Sequence, residues 1–236
     1  MGRAFFIAGT DTDVGKTTIA AGLLRAARLA GLSTAAVKPV ASGCELTDQG
    51  LRNSDALALL AECSLGLDYA TVNPLAFEPA IAPHIAAHEA GVELSVARLV
   101  QAVQPVLARQ ADFTLVEGAG GWRVPLNARE HLSALPVALG LPVILVVGVR
   151  LGCINHALLS AEAIARDGLV LAGWVANIVD PATSRLEENL ATLAELLPVR
   201  CLGRVPHLAV PDAALVAQYL SLPLLPLTCA DTHSDA

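Results

Sequence analysis

The chain alternates short, continuous apolar runs with longer stretches in which apolar positions recur every three or four residues. Ala4-Phe5-Phe6-Ile7-Ala8 is the first run and predicts a strand. A helical pattern follows from Thr17 to about Ala30, with Ile19, Leu23, Ala26, Ala27 and Ala30 on one face. Gly31 stops it, as a glycine past a helix C-terminus does. Further strands are predicted over 33–37, 113–116, 143–147, 171–178 and 200–205. Helices are predicted over 56–62, with Ser54 as its cap, and over 96–107, with Pro105 bending its end. Three more are predicted over 156–166, 186–197 and 213–220. Residues 40–53 turn to Ser, Gly, Thr, Asp and Asn and read as a loop of functional length. Residues 64–91 hold Pro74, Pro79 and Pro83, so only short pieces can be regular there.

The stretch between the first strand and the first helix is Gly9-Thr10-Asp11-Thr12-Asp13-Val14-Gly15-Lys16-Thr17-Thr18. Strand, glycine-bounded loop, Gly-Lys-Thr and helix are the parts of a phosphate-binding loop. The loop aims backbone N–H groups at a polyphosphate, and the positive end of the helix adds to them. Lys16 would reach the terminal phosphates, and the Thr17 hydroxyl can ligate Mg²⁺. The usual pattern has four residues between its first Gly and the Gly-Lys pair. Here Gly9 and Gly15 enclose five, with Thr10 where the first Gly would stand. The strand before and the helix after favour a nucleotide site over a surface turn.

Strands alternating with helices over short loops predict right-handed crossovers and a parallel sheet. The expected fold is a single-domain, P-loop NTPase-like α/β fold, mainly parallel sheet with helices on both faces. It should occupy residues 1–227, with 228–236 a disordered tail. At 236 residues the chain can bury a substantial core. Aromatics make up only 3% and hydrophobic residues 54%, so that core is aliphatic. A net charge of −7 gives bulk electrostatics no reason to favour nucleic acid. Five scattered cysteines without a C-x-x-C pair, and no secretory leader, point to reduced thiols in a cytoplasm. No apolar run is long enough to span a membrane.

In such a sheet, ligands gather beyond the carboxyl ends of the strands. The polar residues placed there are the phosphate loop, Lys38 and Ser42, Glu117, the 151–155 stretch and Asn177. Thr17 with the carboxylates of Asp55 and Glu117 suits Mg²⁺, a hard cation that keeps phosphate oxygens and water as its other ligands. On spacing alone Asp55 reads more readily as a first-turn helix acid than as a metal ligand, and Lys38 as a solvated strand end. His84 and His88 lie four apart, but Pro83 and the want of a third ligand make them ordinary loop or helix residues. No base stands next to Cys44 or Cys153 to mark a nucleophile.

Several stretches together resemble the dethiobiotin synthetase family. They are 9–17, Lys38-Pro39-Val40-Ala41-Ser42-Gly43, Asn53-Ser54-Asp55-Ala56, Tyr69-Ala70-Thr71-Val72-Asn73-Pro74 and Val116-Glu117-Gly118-Ala119-Gly120-Gly121-Trp122, followed by 149–156 and Gly173-Trp174-Val175-Ala176-Asn177. The likeness runs from about Phe5 to Asp212. The resemblance implies an ATP- and Mg²⁺-dependent cyclo-ligase of biotin biosynthesis, acting on 7,8-diaminopelargonic acid and CO₂. It implies Thr17, Asp55 and Glu117 as metal positions and Lys38, with Lys16, as catalytic. ATP contacts would come from Asp13, Val14, Gly15, Lys16, Thr17, Thr18, Asp55, Glu117, Gly118, Ala119 and Gly120. Asn177 would read adenine beside Ile178, Pro206, His207 and Leu208 would line the base, and Asp212 would lie on the ribose side. Thr12, Lys38 and Ser42 would contact substrate. Leu151, Gly152 and Asn155 would reach a partner subunit's substrate, which implies a homodimer with composite sites.

Two other classes are less well matched. Partitioning and septum-placement ATPases carry an additional Lys near the start of the loop, and positions 9–14 hold none. A cobyrinate-type amidating synthetase brings a glutaminase domain for which this length leaves no room, and a small-molecule kinase does not account for the Lys38–Gly43 and Glu117–Gly121 stretches together.

Overall fold

The computed structural model describes residues 3–223; the tail expected at 228–236 lies outside them. The chain begins with β1 (Arg3–Gly9), α1 (Lys16–Leu29), β2 (Thr34–Val37) and β3 (Val40–Ala41). A hairpin of β4 (Glu45–Thr47) and β5 (Gly50–Arg52) precedes α2 (Ser54–Ala61), α3 (Tyr69–Val72), β6 (Leu75–Ala76) and α4 (Pro83–Glu89). Next come α5 (Val96–Leu107), β7 (Phe113–Glu117), α6 (Ala134–Leu139), β8 (Val143–Val149) and α7 (Cys153–Arg166). β9 (Leu171–Ile178), α8 (Leu186–Leu196), β10 (Cys201–Val205) and α9 (Ala213–Ala217) complete the order.

Six strands form one sheet in the order β10-β9-β8-β1-β7-β2, and every pairing in it is parallel. Parallel neighbours cannot be joined by tight turns, so the helices cross between them and cover both faces. Alternation along β1 divides the core into two layers. Phe5 and Ile7 pack with Ile19, Leu23 and Leu24 of α1, Leu59 of α2 and Val216 of α9. Phe6 and Ala8 face the other way, toward the layer that holds Leu99 and Val103 of α5, Ala157 and Ile164 of α7, and Leu190 and Leu193 of α8. All seven residues of β8 are buried, as a central parallel strand requires. Because β1 lies between β7 and β8, the loop after Gly9 and the residues after Glu117 emerge side by side.

The structure corrects several local expectations. Asn53, not Ser54, caps α2: its Oδ1 accepts from the Ala56 N–H at 3.2 Å. α7 starts at Cys153, three residues earlier than its apolar pattern suggests, behind Gly152 with φ 93°. The polar stretch 40–53 is partly ordered as β3, which pairs with β6, and as the β4–β5 hairpin. Thr47 closes that hairpin, donating its hydroxyl to the Gly50 carbonyl at 2.7 Å. Pro83 opens α4 at a position where the missing N–H costs nothing. Pro105 falls in the last turn of α5 without ending it. Among the described residues, no helix is long and apolar enough to cross a membrane.

Candidate active site

The phosphate loop leaves the end of β1 at the centre of the sheet. Gly15, immediately before α1, has φ 83°, and a methyl group there would strike the Asn177 carboxamide. Only glycine meets both conditions. The Lys16 ammonium folds back over the loop and donates to the Asp11 carbonyl at 2.9 Å. Burial lowers its pKa, against the pull of Glu117, because no carboxylate is in hydrogen-bond contact with it. It is a desolvated cation held where polyphosphate oxygens would neutralise it. Asp11 in turn pairs with Arg150 at 2.9 Å, both half exposed, a contact of little energetic weight.

Beside the loop lies a buried cluster. Glu117, at the carboxyl end of β7, has a side chain with no exposure, and one oxygen serves two donors. Its Oε1 accepts from the Thr17 hydroxyl at 2.7 Å and from the Lys38 ammonium at 2.6 Å. Lys38, one residue past β2, also donates to Asp55 Oδ2 at 2.7 Å. Burial works against the Lys38 charge, but Glu117 and then Asp55 outweigh it and hold the pKa above the ordinary lysine value. The Lys38 side chain is 7% exposed, so this is no solvated strand end.

Glu117 Oε2 is buried without a partner. An orphaned carboxylate oxygen beside a hydroxyl and a second, half-exposed carboxylate is an oxygen-only donor set, which fits Mg²⁺. Among the described residues no group of three or more His, Cys, Asp or Glu could hold a metal, so phosphate and water would have to complete the shell.

These residues share one cavity of about 760 Å³. It brings together Thr12, Asp13, Gly15, Lys16, Thr17, Thr18, Lys38, Ser42, Asp55, Glu117, Ala119 and Gly120. Val14 is buried beneath the loop, and Gly118 follows Glu117 so closely against Phe6 that a methyl group would clash with the ring. The remaining sequence-predicted residues lie outside the cavity lining. Asn177 stands one residue before the end of β9, behind the loop, donating from Nδ2 to the Val14 carbonyl at 2.9 Å, and half-buried Ile178 ends the strand. Pro206, His207 and Leu208 follow β10. Asp212 caps α9, accepting from the N–H groups of Ala214 and Leu215 at 2.8 and 3.0 Å. Leu151, Gly152 and Asn155 are exposed, Leu151 at 96%.

The cavity also has walls that sequence reasoning missed. Ala80, Ile81, Ala82 and Pro83 form one, and Arg123, Val124 and Pro125 another. The first lies in the proline-broken span, where no periodicity could mark it. Arg123 forms a two-pronged pair with Asp167, both distances 2.7 Å, and Asp167 also accepts from Trp122 Nε1 at 2.8 Å. That anchors the loop after β7 to the end of α7. The neighbouring Trp122 was a signal, since a buried indole N–H needs an acceptor.

A central parallel sheet with a glycine-bounded loop at its middle strand defines a P-loop NTPase. The model of the AAA domain family AAA_26 matches residues 3–214. The fold is similar to the septum site-determining protein MinD of Pyrococcus horikoshii, complexed with Mg-ADP: TM-score 0.56, 16% identity, 92% of this chain and 86% of that one. It is similar also to a ParA family ATPase of Chlorobium tepidum: TM-score 0.53, 13% identity, 89% and 86%. At such identities the likeness concerns the fold.

Sequence relatives are more specific. The ATP-dependent dethiobiotin synthetase BioD of Pseudomonas paraeruginosa is 78% identical over 219 residues, 93% of this chain and 96% of the relative. That of Cellvibrio japonicus is 61% identical over 224 residues, 94% and 98%. The chain belongs to the ATP-dependent dethiobiotin synthetase family, ligases of biotin biosynthesis.

Proposed function

We propose that the chain closes the cyclic urea of dethiobiotin through a phosphorylated carbamate. One amine of 7,8-diaminopelargonic acid adds to CO₂ and loses a proton, giving a carbamate. A carbamate oxygen attacks the γ-phosphorus of ATP and ADP departs, leaving a carbamic–phosphoric anhydride. The second amine attacks the carbonyl carbon, and phosphate leaves with the oxygen that came from the carbamate. The observation that carries this reading is the buried Lys38 ammonium, held between Asp55 and Glu117 in the same cavity as the phosphate loop.

Phosphoryl transfer asks for positioning and charge neutralisation rather than a protein nucleophile. Lys16 and Lys38, both buried at the cavity wall, supply fixed positive charge for the γ-phosphoryl and carbamate oxygens. Thr12 and Ser42, both on the cavity wall, orient the substrate. Thr17, Asp55 and Glu117 would hold Mg²⁺, which when bound neutralises the β- and γ-phosphates. The N–H groups of 13–18 and 118–120 cradle the phosphates. Asn177 accepts from the adenine amino group through its Oδ1, the Nδ2 being held by Val14; Ile178 and 206–208 line the base, and Asp212 lies on the ribose side. Exposed Leu151, Gly152 and Asn155 complete the site of a partner copy in a homodimer, and the enzyme works in the cytoplasm.

The test is incubation of the purified chain with 7,8-diaminopelargonate, bicarbonate, Mg²⁺ and ATP, with product read by mass spectrometry. Cyclic urea and ADP in equal amounts, dependent on all four components, are expected. ADP without urea would overturn the reading in favour of a switch ATPase.

A further inference from the structure

The phenol of Tyr69 touches nothing in the cavity, yet it joins the supports of three groups that do. Its oxygen accepts from the Asn53 N–H at 2.7 Å and its hydroxyl donates to Asn73 Oδ1 at 3.0 Å. Asn73, 3% exposed, donates from Nδ2 to the Lys38 carbonyl at 2.8 Å, while the Lys38 N–H donates to the Val72 carbonyl at 2.7 Å. Asn53, 5% exposed, caps the helix whose second residue is Asp55, and its Nδ2 lies 3.5 Å from the Ser42 carbonyl. The Arg52 guanidinium lies over the Tyr69 ring, 4.2 Å from its centroid, and fixes the ring plane.

We propose that Tyr69 is a positioning residue for the reaction: its one hydroxyl sets the spacing between the Lys38 segment and the Asp55 helix. Buried polar groups are costly unless satisfied, and here two buried asparagines and a phenol satisfy one another in a single chain. Lys38 leaves β2 and Asp55 is the second residue of α2, seventeen residues apart, with buried β3 and the largely exposed β4–β5 hairpin between them. The Lys38–Asp55 bond closes the gap at the site, and the Asn73–Tyr69–Asn53 chain holds the two backbones behind it. The relay has two arms: Asn73 serves Lys38, and Asn53 serves Asp55 and Ser42. This inference rests on the proposed roles of Lys38 and Asp55.

The experiment compares Tyr69→Phe, which keeps the ring under Arg52, with Asn73→Ala and with Lys38→Met as the control. Turnover, the KM for ATP, the Mg²⁺ concentration for half-maximal rate and the thermal midpoint are measured for each. Tyr69→Phe should stay folded, lose about 10-fold or more in kcat and need several-fold more Mg²⁺, the size of effect that supporting partners have on metal sites. At saturating Mg²⁺ its KM for ATP should stay within about twofold, because the phosphate loop is untouched. Asn73→Ala, which also decides the matter should Tyr69→Phe fail to fold, should lower kcat while leaving the Mg²⁺ requirement as in the wild type. A folded Tyr69→Phe with wild-type kcat and Mg²⁺ requirement, beside an inactive Lys38→Met, overturns the inference and leaves the reaction assignment standing. A Lys38→Met enzyme at wild-type rate overturns the assignment itself, and the inference with it.

Discussion

Lys38 Nζ and Glu117 Oε1 stand 2.6 Å apart, both side chains buried. A pair so buried is weak evidence for stability, since desolvating both charges offsets much of their attraction. Its use is positional. The Thr17 hydroxyl and the Lys38 ammonium bind one oxygen of Glu117, Lys38 also holds Asp55, and the second Glu117 oxygen has no partner of its own.

Lys38→Met should therefore act on two observables at once. Turnover should fall by about 10²-fold or more, the effect of deleting one preorganised donor to developing charge. Stability at pH 7 should fall by roughly 3–5 kcal/mol, because Glu117 is left buried without its cation. Steady-state kinetics and urea unfolding read the two effects, and adding Glu117→Gln should recover stability but not rate.

Nucleotide affinity should weaken on the alkaline side earlier than for an exposed lysine. Burial lowers the Lys16 pKa, whereas polyphosphate binds the ammonium and favours the proton. As pH rises through that lowered value the free protein loses the charge, binding weakens, and the Lys16 amine takes up a proton when nucleotide binds. In the folding equilibrium the sign is opposite: the unfolded chain holds the proton to higher pH, so this group makes folding more favourable as pH climbs across that window. Calorimetry in alkaline buffers of different ionisation enthalpy should show proton uptake that Lys16→Met abolishes.

Glu117→Gln should raise the Mg²⁺ concentration for half-maximal rate by about 10-fold or more, as loss of a metal-supporting carboxylate does. A Mg²⁺ titration of turnover decides this, and unchanged half-saturation would remove Glu117 from the metal site.

Away from the site, Glu62 is a useful contrast. It accepts from Arg25 Nε and Nη2, both at 2.8 Å, and pairs with Arg28 at 3.2 Å. Glu62→Ala should cost about 1–2 kcal/mol, the lower end for bonds to charged groups, since both arginines are partly exposed and can be rehydrated. Its kcat should equal that of the wild type.

The sheet and the loop were legible because their signals are local. Continuous apolar runs fix parallel strands, and Gly15-Lys16-Thr17 after a strand fixes the phosphate site. What was not legible is what depends on long-range partners. Nothing near Lys38 in sequence says that it is buried, since its two carboxylates come from positions 55 and 117. Asn53 competes with Ser54 as a cap; the Ala56 N–H bonded to Asn53 Oδ1 shows which one the fold uses, and the Tyr69 phenol, from sixteen residues away, holds the Asn53 N–H. Residues 80–83 became a cavity wall although three prolines hid any periodicity around them.

The most direct test of the central claim follows an oxygen atom. Bicarbonate labelled with ¹⁸O is given to the enzyme with the diamine, Mg²⁺ and ATP, and released phosphate is analysed by mass spectrometry before the label exchanges with water. Passage through a carbamic–phosphoric anhydride predicts one ¹⁸O transferred to phosphate for each cyclic urea formed. Cyclic urea accompanied by unlabelled phosphate would contradict the account.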